Sequence, residues 1–184
     1  MQSPNITVSL TPEQVTADTD VSFTLHITSD TEVGWFVVHV PSTLTGTRYA
    51  YFKVDLSTLT IPQNWQYHVI EYDPNGYPLD IEFNATDNQY RLTDITISFK
   101  ARTPSQAGTY TWEVTLENCT NPYADPSCQA LGTYDVNTTV IAYIVGGELV
   151  VPEWGGARGA TALAILGAVV VATVVAAAIS IRRP

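Results

Sequence analysis

The chain has 184 residues and a net charge of −10. All 18 acidic residues lie at or before Glu153, against five basic residues over the same span, so this part carries 5 − 18 = −13. That balance argues against a nucleic-acid partner and against adhesion to anionic lipid, because both need clustered Lys and Arg. The composition includes 25 threonines and 10 tyrosines, which favour β-strands over helices.

Up to residue 144 the chain consists of short segments in which apolar and polar residues alternate. Turn residues separate these segments from one another. In residues 21–28 apolar and polar side chains alternate with period two, as in a half-buried strand. Asp73-Pro-Asn-Gly76 is a strong turn signal. The predicted strands are residues 5–10, 21–28, 34–40, 48–56, 65–72, 79–83, 92–100, 110–116 and 135–144. The pattern predicts an all-β chain with a single antiparallel β-sandwich.

The segment Ala107-Gly-Thr-Tyr110 follows a loop that contains proline and precedes the last hairpin. It resembles the penultimate strand of immunoglobulin-like and fibronectin-type domains. The resemblance implies a tyrosine corner at Tyr110 and a core tryptophan at Trp35. It covers residues 5–144, is architectural and implies little about function. The chain departs from antibody-type domains because no cysteine pair bridges the two sheets.

The two cysteines, Cys119 and Cys128, lie nine residues apart in one loop that contains prolines. Two thiols alone do not form a structural zinc site, so a small loop-closing disulfide is predicted, with two free thiols as the alternative. A disulfide would imply an oxidising, extracytoplasmic setting.

Four sites fit the acceptor pattern for N-glycosylation and favour a glycosylated surface. They are Asn5, Asn84, Asn118 and Asn137. Asn137 is the least suited of them, because it lies inside a predicted strand.

No catalytic motif is visible, and the chain is predicted not to be an enzyme. The three histidines, His26, His39 and His68, lie on predicted strands, and no residue stands out as a nucleophile. No cofactor is expected apart from calcium, for which Asp18 and Asp20 are the first candidates. Ordinary turn chemistry is the alternative interpretation of that acidic pair.

Residues 160–181 form an uncharged stretch of 22 residues followed by Arg182 and Arg183. A helix of this length spans the roughly 30 Å core of a bilayer, and a buried soluble helix is the alternative. The positive-inside rule places the basic tail in the cytoplasm and the preceding domain outside the cell. A small residue recurs at every fourth position, which favours self-association of two such helices.

The sequence before this span reads Val151-Pro152-Glu153-Trp154. Together with the hydrophobic stretch, Arg182 and Arg183, it resembles the Pro-Glu-Phe and Pro-Glu-Pro sorting signals of prokaryotic surface proteins. The resemblance implies an archaeal-type, or bacterial, envelope protein, although Trp154 stands where the archaeal signal usually has Phe. A permanent anchor with an interfacial tryptophan is the alternative.

These features predict an extracellular domain in residues 1–145, a linker in 146–157, a transmembrane helix in 158–181 and a basic tail in 182–184. The first residues lack the pattern of a signal peptide, so either one was removed or the domain is cytosolic and tail-anchored. The cysteine pair and the acceptor asparagines favour a signal peptide that was removed. The predicted function is a membrane-anchored cell-envelope protein with a structural, adhesive or partner-docking role toward an envelope protein or glycan. The alternative is an extracytoplasmic binding or accessory subunit of a membrane complex or transporter.

Overall fold

The computed structural model describes residues 4–142, 144–145 and 148–149. The chain divides into two compact units, Met1–Ala142 and Tyr143–Pro184. Among the described residues, no helix is long and apolar enough to cross a membrane. The predicted span in residues 158–181 and the basic tail lie outside the described residues.

Ten strands, numbered β1 to β10 in chain order, make up the described part of the first unit. They are β1 (Ile6–Thr11), β2 (Gln14–Thr16), β3 (Asp20–Val33), β4 (Trp35–His39), β5 (Lys53–Thr60), β6 (Trp65–Tyr72), β7 (Pro78–Ala85), β8 (Leu92–Arg102), β9 (Gly108–Glu117) and β10 (Ala130–Ile141). One turn of 3-10 helix, Asn88–Tyr90, precedes β8. In the second unit, β11 (Ile144–Val145) and β12 (Glu148–Leu149) form a short antiparallel hairpin.

The ten strands form two sheets that share one hydrophobic core. The four-stranded sheet has the order β1-β3-β8-β5, and the six-stranded sheet has the order β2-β10-β9-β4-β7-β6. Neighbouring strands are antiparallel except β2 and β10, which pair in parallel. The predicted all-β architecture with two layers is therefore confirmed for the described residues.

The core follows from the period of two in the strands. Phe23, Leu25 and Ile27 of β3 face inward beside alternate residues of β8, as the alternation predicts. Opposite them, Trp112 of β9 is almost completely buried, with its ring centre 4.9 Å from that of Phe52 and 6.0 Å from that of Phe23. Large aromatic side chains thus fill the space between the two sheets.

Two predicted local features are present. The Tyr110 hydroxyl donates a hydrogen bond to the carbonyl oxygen of Gln106 at 2.8 Å, which is the geometry of a tyrosine corner. Asp73 caps the turn between β6 and β7 by accepting hydrogen bonds from the backbone N–H groups of Asn75 and Tyr77. Gly76 has a φ of 84°, which suits glycine at this turn.

Trp35 is not the core tryptophan, so that prediction was wrong. It is 6% exposed, but its strand neighbours Phe36 and Val38 occupy the core, which turns Trp35 to the outer side of the six-stranded sheet. Trp112 fills the core instead. The fourth predicted strand also begins later than expected, at Lys53, and β2 lies in a segment where no strand was predicted.

Candidate functional site

The outer face of the six-stranded sheet carries a polar surface organised around β4. Trp35, Val37 and His39 alternate outward from this central strand. The strand registers align each of them with outward residues of β6, β7, β9 and β10. We call this surface, built from three rows of side chains across five strands, the carboxylate face.

The first row lies at the His39 end of β4 and consists mostly of acids. Its members, in order across the sheet, are Asp135, Glu113, His39, Asp80 and Glu71. With neighbouring strands about 4.8 Å apart, the row is about 19 Å long. Residues from five segments spread over the chain thus form one line of charge.

Asp80 is the centre of this row, and its side chain is only 12% exposed. His39 Nδ1 donates to Asp80 Oδ1 at 2.8 Å, and the Arg48 guanidinium donates to both Asp80 oxygens at 3.0 and 3.2 Å. Arg48 also donates to Glu71 Oε2 at 2.7 Å. The other ring nitrogen of His39 lies 3.7 Å from Glu113 Oε1. Arg48 and His39 therefore tie three carboxylates of the row together.

These contacts shift the pKa values of Asp80 and His39. Burial opposes ionisation of Asp80, but hydrogen bonds from His39 and Arg48, with their charges, hold its pKa well below the usual range. The hydrogen bond to Asp80 raises the pKa of His39 above its ordinary value of 6.5, against the effect of burial. The charges of Asp80 and Glu113 add to this rise. Asp80 is therefore ionised at neutral pH, and the proton on His39 is held more tightly than on a free imidazole.

The middle row is mixed and open. It consists of Thr133, Thr115, Val37, Glu82 and His68. Val37, at the centre of this row, is only 3% exposed. The hydroxyls of Thr115 and Thr133 lie 3.1 Å apart. This row separates the acidic row from the covered end of the face.

The loop that Cys119 and Cys128 close, called the disulfide loop below, covers the third row. This row contains Glu117, Trp35, Asn84 and Gln66. Cys119 and Cys128 are joined, as predicted, and the Tyr123 ring meets that of Trp35 edge-on at 6.3 Å. Asn84 Nδ2 donates to the Thr120 carbonyl at 3.3 Å. Glu117 lies beside the two sulfurs, but the disulfide leaves no thiolate there for a metal ion.

Charge is the main property of the face. Its six carboxylates belong to Glu71, Asp80, Glu82, Glu113, Glu117 and Asp135. Arg48 is the one permanent cation that reaches them among the described residues. A rigid surface of this kind attracts cationic groups and repels acidic ones.

The His39–Asp80 pair has the geometry of a histidine oriented by a carboxylate. In a hydrolase the second ring nitrogen would face a hydroxyl or thiol nucleophile. Here it faces the Glu113 carboxylate, and within the described residues no nucleophile is hydrogen-bonded to it. His26 is exposed and bonded to Asp94 at 2.9 Å, on the other sheet. The arrangement is suited to binding charge more than to acyl transfer.

The calcium candidates Asp18 and Asp20 lie away from this face, at the start of β3. Arg102 Nε donates to Asp18 at 3.0 Å, and another guanidinium nitrogen lies 3.6 Å from Asp20. A cation at this position would have to displace Arg102, so the geometry does not favour calcium there.

The four glycosylation candidates have different surroundings. Asn5 and Asn137 are exposed, although Asn137 accepts a hydrogen bond from Thr111 on the outer side of β10. Asn84 lies under the disulfide loop with its amide nitrogen occupied, and Asn118 accepts from the Gln129 N–H at the base of that loop. The use of all four remains a prediction. The sorting-signal residues Pro152, Glu153, Trp154, Arg182 and Arg183 lie outside the described residues.

Comparisons with known proteins identify no family. No protein-family model and no curated protein matches the chain. A non-cellulosomal cohesin from the hyperthermophilic archaeon Archaeoglobus fulgidus is similar in structure, with a TM-score of 0.46 and 11% identity over 74% of this chain and 91% of that chain. AvmM, which catalyses macrocyclisation in alchivemycin A biosynthesis, has a TM-score of 0.44 and 10% identity over 78% and 92%. A collagen-binding domain from a Staphylococcus aureus adhesin has a TM-score of 0.37 and 13% identity over 76% and 97%. At TM-scores below 0.5, these likenesses do not indicate a function.

Proposed function

We propose that the chain is a membrane-anchored cell-envelope protein whose β-sandwich, displayed outside the cell, docks a basic segment of a partner protein. The docking surface is the carboxylate face. The observation that carries the proposal is the acidic row that crosses five strands of the sheet. It is built on strands, which hold its charges at fixed spacings.

The charges of the face favour a basic partner. Arg48 and His39 are already engaged with Asp80, whereas Glu82, Glu117 and Asp135 have no ion pair among the described residues. Lys or Arg side chains of a partner would supply the missing counter-charges. An acidic partner or an anionic glycan would add repulsion to a domain that already has an excess of carboxylates.

The support for a membrane anchor and for a domain displayed outside the cell comes from the sequence. Residues 158–181 have the length and composition of a membrane span, and the arginines after them favour a cytoplasmic tail. The disulfide between Cys119 and Cys128 suits an oxidising compartment outside the cytoplasm. A membrane-impermeant reagent that labels the domain on intact cells would support this location, and labelling only after lysis would contradict it.

Docking is tested with the full chain in detergent and a lysine-rich peptide as the probe. Substitution of Glu113→Gln together with Asp135→Asn removes two charges from the face without touching Arg48. We expect roughly fivefold weaker binding, because each exposed charge pair contributes about 0.5 kcal/mol. The measurement is peptide affinity at low and at high salt.

The matched control is Asp30→Asn together with Asp87→Asn, which removes the same charge from exposed sites outside the carboxylate face. The control should bind the peptide almost as well as the unmodified chain does. Equal losses in the two double variants would show attraction by net charge alone and would contradict a defined docking face.

A further inference from the structure

The connection between β4 and β5, residues 40–52, holds a leucine in solvent, and we call it the Leu44 hairpin. Leu44 is 99% exposed, the largest value for any large apolar side chain among the described residues. The Thr43 N–H donates to the Tyr49 carbonyl oxygen at 3.1 Å, and the Tyr49 N–H donates to Thr43 Oγ1 at 2.9 Å. These bonds close the hairpin on both sides of Leu44. An apolar side chain fixed away from its own core favours contact with another apolar surface.

More exposed apolar side chains lie at the same end of the sandwich, called the Leu44 end below. At this end β4 leads into β5, β6 into β7 and β8 into β9, and β10 ends. Four of the seven large apolar side chains that are exposed in the described residues lie there, and they are Leu44, Tyr49, Tyr72 and Ile141. Tyrosine and aliphatic side chains together suit the boundary between water and hydrocarbon.

The connections at this end expose few carboxylates. Residues 40–52 and 103–107 contain no Asp or Glu. In the turn between β6 and β7, Asp73 is 5% exposed and bonded to backbone N–H groups. Asp18, between β2 and β3, is paired with Arg102. Charge at these connections therefore offers little opposition to contact with a lipid surface.

The chain also leaves the sandwich at the Leu44 end. Strand β10 ends at Ile141, and the 16 residues 142–157 separate it from the predicted span. The β11-β12 hairpin sets Ile144 opposite Leu149, which shortens this segment to a reach of at most about 45 Å. Strand β10, with 12 residues, is itself about 40 Å long. A sandwich with its other end toward the membrane would therefore need almost the whole reach of the linker.

We propose that the Leu44 end of the sandwich contacts the bilayer in which the chain is anchored, with Leu44 inserted into the interface and Tyr49 beside it. A lipid surface is thus the occupant of the exposed apolar patch. Because the anchor keeps the hairpin close to the lipid, even a contact too weak to recruit a free protein is populated. The inference rests on the membrane anchor of the proposed function. The carboxylate face lies on a side of the sandwich and stays accessible to a partner.

The test uses the full chain in vesicles of phosphatidylcholine. The two cysteines of the chain are joined to each other, so Thr45→Cys supplies a single free thiol beside the unchanged Leu44. This thiol carries a fluorophore whose emission shifts to the blue in an apolar environment. We expect a blue shift, and quenching by lipids that carry nitroxide groups on their acyl chains.

The matched control is Gln89→Cys, which places the same label at an exposed position at the opposite end of the sandwich. Its emission should stay that of a label in water, without quenching by the nitroxide lipid. Equal quenching at the two positions would overturn the proposal, because it would show that the label itself seeks the lipid.

A second variant tests the leucine itself. Addition of Leu44→Asp to the Thr45→Cys chain should reduce the quenching roughly tenfold, because a carboxylate replaces the apolar side chain in the interface. Quenching that persists with Leu44→Asp would overturn the proposal. A blue shift without quenching by the nitroxide lipid would also overturn it, and would assign the hairpin to contact with another protein molecule.

Extraction of the same vesicles at alkaline pH distinguishes this inference from the proposed function. A chain that stays with the lipid is anchored, and a Thr45→Cys label that remains in water would then contradict the contact alone. A chain that is released has no membrane anchor, and that result would contradict both the anchor and the contact.

Discussion

The two faces of strand β4 bury their side chains in different ways. On the inner face, Phe36 and Val38 are covered by the opposite sheet. On the outer face, Trp35 and Val37 are just as buried, but a disulfide-closed loop and neighbouring side chains cover them. The inner face is thus enclosed by regular strands, whereas on the outer face one loop covers Trp35 and neighbouring side chains cover Val37.

The two buried tryptophans sharpen this comparison. Neither Trp112 Nε1 nor Trp35 Nε1 has a hydrogen-bond partner among the described residues, so the two indoles differ mainly in what surrounds them. Trp112 packs among Phe23, Phe52 and Phe99, and Trp35 meets Tyr123 and the disulfide loop.

Replacement of each tryptophan by alanine should have the largest effect. We expect Trp112→Ala to reduce the free energy of unfolding by about 3–5 kcal/mol, because the rigid core cannot close the cavity. Trp35→Ala should cost less, about 1–3 kcal/mol, because the loop can settle into the space. Denaturant unfolding measures both values. Equal losses would show that the loop is as rigid a cover as the opposite sheet.

A change at Gly34 should disturb mainly the outer cover. A Cβ at this position would lie 2.5 Å from the Cys119 carbonyl oxygen and 2.9 Å from Arg91 Cγ, so Gly34→Ala must push the loop away and shift the Arg91 side chain. We expect a loss of about 1–3 kcal/mol and faster proteolysis within the loop, with the core aromatic signals unchanged.

Gly108→Ala is the matched control, because its Cβ would meet only the Tyr110 side chain at 3.8 Å. It should leave both stability and proteolysis close to those of the unmodified chain. If Gly34→Ala leaves the loop as resistant to protease as before, the close approach between Gly34 and Cys119 does not hold the loop in place.

The smallest expected effect is the pH dependence of folding stability that His39 causes. Its folded-state pKa is raised by the hydrogen bond to Asp80, so the proton binds more tightly in the folded state than in the unfolded state. The resulting stabilisation is fully present below about pH 6.5 and disappears as the pH rises through the folded-state pKa.

His39→Gln should therefore reduce stability below pH 6.5 and leave it nearly unchanged at alkaline pH. Unfolding curves over this range measure the difference, and His26→Gln on the other sheet is the control. A difference between His39→Gln and the unmodified chain that grows with pH would contradict the assigned direction.

Much of the fold could be predicted because alternation is a local signal. Which side chains of β3 and β8 face the core was evident from the spacing of apolar residues such as Phe23, Leu25 and Ile97. The inward-facing side of β4 was not evident, because residues 35–38 are all apolar and show no alternation. Strand β2 was missed because three residues carry little pattern, and it forms only by parallel pairing with β10.

The candidate site was harder to predict than the strands. His39 and Asp80 were visible as residues on strands, but nothing local indicated that they would meet. Their contact depends on the registers of β4 and β7, and the rest of the row depends on three more strands. The loop disulfide could be predicted because its two cysteines are close in the sequence.

By itself, the sequence determined the all-β class, most strand positions, the turn at Asp73 and the disulfide loop. Each of these depends on residues within about ten positions of one another. Only the tertiary structure decided that Trp35 faces outward, that the acids align with His39 and that β6 lies at one end of the six-stranded sheet of the described residues. Those features depend on which strands become neighbours and in which register, and pairing between distant segments sets both.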